Sequence, residues 1–456
     1  MRQRLLTFLV FGIALAALGE WGLRSGKFSS LDNLWLDFCI GNAGDQLKDP
    51  AVTVVRIDDG YEPIPLGQDE PASGGNTLSR LDYATILAFT SKFSPRSVAF
   101  LPIPTFDESL ILNKTDIAPL KDAAMKLPKF VAASSVSDDG EQAKEAAALA
   151  YPTLKVEGDA SGLLAYTRTV RYPDPQILAN SVPAFKLVES ARDLVSGTSV
   201  RVPLVARRGE AVAPSVVLAA VAHHAGVPFD QIVVKLDGPQ AQILVGEAYT
   251  IPIERDGTLA LPARTGLQTP MKRLSRGEDG KPVETMLYTT LTVDELAYTG
   301  EENDEVAKRI LADLQPEFES LKSNLVVIGF DRTADRRIAT SRDEVLSETS
   351  LIARTIAVIQ SGRYFSTWPT WARVLAVLAI FVIAAVLFRL PRGKFVVASL
   401  VSALLFGAVM VFVFSSTLAW TPPFVVFALF SLMLVVGALV PAAAPAGKPA
   451  DDQEID

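Results

Sequence analysis

Two acidic turns are the first places in this chain where side chains could do chemistry. Asp58 and Asp59 follow the β-branched run VTVVRI at 52–57 and precede Gly60. Asp331 and Asp335 follow the run NLVVIG at 324–329, accompanied by Arg332 and Arg336. Carboxylates at the C-terminal ends of parallel strands face the crevice where α/β proteins bind ligands. If the two strands are neighbours, these acids converge with Arg332 or Arg336. Adjacent strand residues point to opposite faces, so Asp58 and Asp59 share a site only across a turn. The plainer reading is that both cap the strand end. Arg168 and Arg171 offer a second arrangement, because a guanidinium pair suits carboxylate or phosphate. The alternative there is a solvated or salt-bridged face. The ligand-binding candidates are therefore Asp58, Asp59, Arg168, Arg171, Asp331, Arg332 and Asp335.

Other chemistries find few residues to work with. The two histidines, His223 and His224, are adjacent. They fall at the end of the helical run PSVVLAAVAHHAG, where the helix dipole favours cations. No Ser/His/Asp arrangement can be built from them, and the one cysteine, Cys39, cannot form an internal disulfide or a zinc ribbon. SRGEDGK at 275–281 has a Gly-Lys pair without the spaced glycines of a phosphate loop, and reads as a surface loop. A net charge of −8 gives no basic stripe for nucleic acid. The expectation is a non-enzyme with no metal, no cofactor and no nucleic-acid partner.

The elements that would hold the acidic turns alternate. Strand-like runs stand at 51–57, 96–101, 130–135 and 324–329, and helical spacing at 81–93, 214–226 and 351–360. IPIERDGTLAL at 251–261 reads as a hairpin turning at Asp256-Gly257. Residues 67–76 and 138–148 read as loop or polar stretches, and 158–162 as a turn. This alternation predicts an α/β domain with a mixed, mainly parallel sheet.

Residues 395–414, FVVASLVSALLFGAVMVFVF, contain no charge. Twenty such residues match a bilayer core of roughly 30 Å at ~1.5 Å per residue. Similar runs lie at 368–388 and 420–440, and a shorter one at 5–19 follows Arg2 and Arg4. The last reads as an uncleaved signal anchor. The expectation is four transmembrane helices, one N-terminal and three C-terminal. The loop 389–394, RLPRGK, carries three positive charges and belongs inside. Residues 27–367 then form the exported domain, 368–440 the closing helices and 441–456 a disordered cytoplasmic tail. Both termini are expected in the cytoplasm, and Trp368, Trp371 and Trp420 at the outer interface. Small residues of the central span (Ala398, Ser399, Ser402, Ala403, Gly407 and Ala408) suit either internal packing or a close contact with another helix.

The order of these motifs resembles the CHASE2 family of bacterial extracytoplasmic sensor domains. VTVVRIDD at 52–59 is similar to that family's hydrophobic strand ending in acidic residues, and RLDYATIL at 80–87 to the helix after it. GDASGLLAYTRTVRYPDP at 158–175, PSVVLAA at 214–220, residues 251–266, residues 324–335 and SGR at 361–363 follow in the same order. The chain departs from the family at Leu101-Pro-Ile-Pro, where an Asp is usual, and at Glu348 and Ile352, where Gly and His are usual. The resemblance implies the fold, three closing membrane helices and a bacterial inner-membrane location. It implies no particular ligand.

Two functions fit. One is a sensory subunit whose exported domain binds a ligand or partner and passes the signal through its helices to a separate protein. Only sixteen residues follow Val440, so no output module is expected. The other is a non-catalytic structural or scaffold subunit of a bacterial envelope complex. The expected partners are membrane lipid and a protein of the membrane or envelope, and dimerisation is common in sensors of this kind.

Overall fold

The computed structural model describes residues 2–25, 34–36, 38–39, 51–63, 78–104, 118–128, 130–137, 151–173, 177, 180–188, 195–196, 199–237, 241–262, 272–276, 282–286, 288–300, 304–333, 335, 337–339, 345–362, 364–421 and 423–440. Arg336, Arg363, the stretches 67–76, 138–148 and 277–281, and the tail after 440 lie outside them. The chain divides into a helical unit, residues 1–44 with 365–456, and a second unit, residues 45–364.

The second unit is built on one sheet. Its strands are Val52–Ile57 (β1), Ser97–Phe100 (β2), Phe130–Ser137 (β3), Arg168–Arg171 (β4), Ser181–Val188 (β5), Thr289–Thr292 (β6) and Leu325–Phe330 (β7). The order runs β6-β1-β7-β2-β3, and β3 also pairs with β4 and β5. Among these described strands only β4 runs antiparallel. Near-continuous apolar runs such as VTVVRI suit a parallel sheet covered on both faces. One face packs Val55, Ile57, Val326 and Ile328 on the helices Arg80–Lys92, Ala118–Lys126 and Gln315–Ser323. The other packs Val52, Val54, Leu325 and Val327 on the helices Val216–Ala225 and Glu348–Ser361.

Local sequence explains where these helices begin and end. Ser79 and Asp82 form a capping box at the start of Arg80–Lys92. Gly226 and Gly362 close their helices in the left-handed conformation, at φ 72° and 67°. The region between β3 and β6 adds smaller sheets, one of four strands ordered Tyr249–Pro252, Gln242–Val245, Ile232–Lys235, Lys155–Glu157. Here one expectation is corrected. The turn at Asp256-Gly257 forms, with Glu254 N donating to Thr258 O at 2.8 Å and Gly257 at φ 85°. Its arms do not pair with each other as a hairpin. Tyr249–Pro252 joins Gln242–Val245, while Thr258–Pro262 joins Ser199–Pro203. A two-residue turn signal specifies the reversal, but partners elsewhere in the chain compete for the strand edges.

In the helical unit, Gln3–Trp21, Thr370–Leu387 and Arg392–Thr417 are long and apolar enough to cross a membrane. A fourth apolar helix, Pro423–Leu439, has 17 residues. Phe8 is fully buried, and its ring meets those of Phe381 and Phe388. Arg4 Nε donates to Val440 O at 2.7 Å, and Glu20 pairs with Arg373 at 2.6 Å. The first helix therefore starts where the last one finishes, and it finishes where Thr370–Leu387 starts. Of the small residues in Arg392–Thr417, Ser399 and Gly407 are buried within this unit, whereas Ala408 is exposed. Leu404 and Phe412, 75% and 71% exposed, mark the outward face.

Gly329 lies where β7 passes under Glu348–Ser361. A Cβ there would collide with the Thr349 side chain and approach Leu101 Cδ1 to 3.1 Å. Thr349 is itself held by a 2.7 Å bond from its hydroxyl to Phe330 O. Overpacking of this kind costs about 1–3 kcal/mol. Gly329→Ala is expected to destabilise the detergent-solubilised protein by that amount, read from denaturant midpoints; an unchanged midpoint would show that the helix is not fixed against this strand.

Candidate functional site

The register of β1 on β7 creates the site. Val52 to Ile57 oppose Leu325 to Phe330 one for one, so both strands stop at the same level. Asp331 N then donates to Ile57 O at 3.0 Å, which extends the ladder by one step. Asp58 and Asp331 thus leave the sheet side by side at its C-terminal edge. The edge also sits where the strand order reverses. From β1 the chain reaches β2 and β3 on one side and later β6 on the other. Open α/β sheets form their ligand crevices at such reversals.

The acids at this edge are mostly engaged in holding turns. Asp58 Oδ1 accepts from Gly60 N at 3.1 Å. The Asp59 carboxylate accepts from Thr333 N at 3.0 and 3.1 Å, and from the Thr333 hydroxyl, bracing one turn against the other. Asp335 Oδ2 accepts from Arg332 N at 2.8 Å. The Arg332 guanidinium lies over the Phe330 ring, 4.7 Å from its centre. Cation–π contacts of this sort are worth about 0.5–1 kcal/mol when exposed.

Asp331 is different. Its Oδ2 lies 3.5 Å from Arg56 Nη1, and its side chain is only 13% exposed. Arg56, opposite Gly329, and Asp331, two residues on, share the face covered by Glu348–Ser361. That helix brings Arg354, 3% exposed, into the same neighbourhood. Tyr288, also buried, is hydrogen-bonded to Ser350. Burial chiefly holds its phenol above the usual range; the Asp331 charge acts the same way, and Arg354 and Arg56 oppose it. The described residues thus gather two guanidinium groups, one carboxylate and one neutral phenol. Such a set favours an anion with oxygen acceptors, a carboxylate or phosphate.

On the other face the edge is acidic. Tyr61 donates to Asp82 Oδ1 at 2.8 Å, and burial, helped by Asp82, pushes its phenol up. Asp294 is held above the ordinary carboxylate range by burial first, then by Asp58, Glu62 and Glu295. Among the described residues no group of three or more His, Cys, Asp or Glu could hold a metal ion.

The remaining candidates lie elsewhere. Arg168 and Arg171 are on β4, paired to Ser137 and Ser135 of β3, with β7 and β2 between them and β1. Three residues apart on one strand, they point to opposite faces and do not make a guanidinium pair. His224 is buried, with Nδ1 3.4 Å from Ser97 Oγ. Burial first, and Arg96 second, lower its pKa, so the helix-end reading as a favoured cation does not hold for it.

Arg56, Tyr288 and Arg354 were missed in the sequence. Two of them carry a signal: Arg56 is the lone charge in AVTVVRI, and Arg354 in SLIARTIAVI. A charge inside an apolar run of a buried element needs partners. No known family matches this chain, and no curated protein or solved structure does so either.

The Asp294 environment gives a pH test. A carboxyl whose folded pKa is raised contributes stability below its unfolded pKa, near 4, and loses it as pH rises through the folded value. Asp294→Asn removes that loss. Its melting temperature relative to the unaltered protein is expected to rise between pH 4 and pH 7. A difference that stays flat across this window would show that Asp294 does not carry the shift.

Proposed function

We propose that this chain is a membrane-anchored extracytoplasmic sensory subunit. Its α/β unit takes an anionic ligand beside Arg56, Tyr288, Asp331 and Arg354, and the helices pass the signal to a separate membrane protein. The observation that carries the reading is the juxtaposition of Arg56, Asp331 and Arg354 at the reversal point of the sheet. A ligand shifts a two-state protein only through unequal affinity for the two states. Charges contributed by a strand, by the turn after its neighbour and by a covering helix can supply that difference if the helix moves.

The orientation rests on charge. Arg4 and the loop bearing Arg389, Arg392 and Lys394 belong to one end of the helical unit; Glu20 and Arg373 belong to the other. The positive-inside rule favours the first end as cytoplasmic. Kinship with the CHASE2 sensors remains part of this proposal, supported by the order of motifs and by the mainly parallel sheet.

One feature favours a scaffold subunit instead. Asp58, Asp59 and Asp335 are taken up in bracing turns, as a rigid interaction module would require. Fold does not decide between the two.

Two measurements test the reading. In a Cys39→Ser background, Arg171→Cys is expected to react with an impermeant maleimide on intact spheroplasts, and Gly393→Cys only after lysis; the reverse pattern would refute the orientation. Purification in mild detergent is expected to bring down a kinase or cyclase. Stoichiometric envelope proteins in its place would establish the scaffold.

A further inference from the structure

The helical unit contains a crevice of about 260 Å³ between its first helix, Thr370–Leu387 and Pro423–Leu439. Its floor is apolar and small: Ala16, Gly19, Val377 and Val425. The Glu20–Arg373 ion pair forms one wall. Arg373 Nη1 meets Glu20 at 2.6 Å and Nη2 meets Thr370 Oγ1 at 3.2 Å. Its Nε is buried and has no hydrogen-bond partner among the described residues. A buried N–H without an acceptor costs about 1–3 kcal/mol, and hydrocarbon offers none.

Depth identifies what could supply the acceptor. At ~1.5 Å per residue, Arg373 lies roughly 5 Å inside the start of its helix, and Glu20 roughly 8 Å from the end of its own. Trp21 and Trp371, 53% and 66% exposed, flank the pair. Exposed tryptophans at helix ends mark the headgroup level of a bilayer. The pair therefore sits level with lipid phosphates and ester groups, and the apolar floor runs toward the acyl chains. The volume fits this occupant too. It exceeds the ~150 Å³ that holds one benzene and falls short of the roughly 300–1,000 Å³ of sites for drug-sized soluble ligands. It suits a length of acyl chain.

We propose that this crevice binds one membrane phospholipid, with an acyl segment over Ala16 and Gly19 and its phosphate accepting from Arg373 Nε. The ion pair selects the headgroup. Glu20 makes the wall formally neutral, so a net anionic head meets a repelling carboxylate. A zwitterionic head places its phosphate at Arg373 and its ammonium toward Glu20. Phosphatidylethanolamine is thus preferred to phosphatidylglycerol. The inference rests on the helices spanning a membrane, and not on the sensory role.

The test is native mass spectrometry of the full chain, extracted in mild detergent and offered both lipids at equal mole fraction. The unaltered protein is expected to hold one phosphatidylethanolamine. Arg373→Gln and, separately, Ala16→Leu, which fills the floor and leaves the ion pair intact, are each expected to cut retention at least tenfold. Leu404→Ala, on the outward face of another helix, is expected to leave it unchanged. Circular dichroism checks that each variant keeps its helices. Retention by Ala16→Leu equal to the unaltered protein would overturn the site, as would equal or greater retention of phosphatidylglycerol. Absence of any bound phospholipid, with maleimide labelling as expected for a membrane-spanning chain, would overturn the site while sparing the membrane reading.

Discussion

The pairing of Val52–Ile57 with Leu325–Phe330 is the constraint on which the second unit depends. It joins segments far apart in sequence, so a large loop-closure cost precedes any gain from the contact. The return comes from burial on both faces of both strands. A one-residue slip would put Val52 and Val54 on the face of Val55 and Ile57 and break both cores together. The same register sets the chemistry, because it ends both strands at one level and brings Arg56 within reach of Asp331.

The helical unit obeys a different constraint. Lipid offers little hydrophobic drive for one helix to join another, so close packing and polar contacts must do it. Gly12 lies against Phe381, Gly19 against Val425 and Gly437 against Phe395. Polar contacts near the helix ends, Arg4 with the Val440 carbonyl and Glu20 with Arg373, set which ends lie together. Ion pairs of exposed residues are worth little. This one is partly buried beside an apolar crevice, where its geometry matters more than its net strength.

Much of the fold was legible because its signals are local. Ser79 with Asp82, Gly226 and Gly362 mark helix boundaries through capping and positive φ, which depend on a few neighbouring residues. The long uncharged helices were legible from length and composition alone. The Asp256-Gly257 turn was legible too, but the partners of its two arms were not, since strand edges pair with segments elsewhere in the chain. Tyr288 gave no warning at all. Its place beside Ser350 and Asp331 depends on how a helix crosses a sheet.

The sequence by itself determined the strands, the helix limits, the apolar spans and the two acidic turns, because propensity, capping and hydropathy act over a few residues. Only the tertiary structure decided that β1 and β7 are neighbours, that Asp59 braces Thr333 while Asp331 faces Arg56, and that Arg168 and Arg171 lie apart. Those outcomes turn on which distant strands win each other's hydrogen-bonding edges. That competition is settled by burying both faces of the sheet at once, and no short stretch of residues contains its terms.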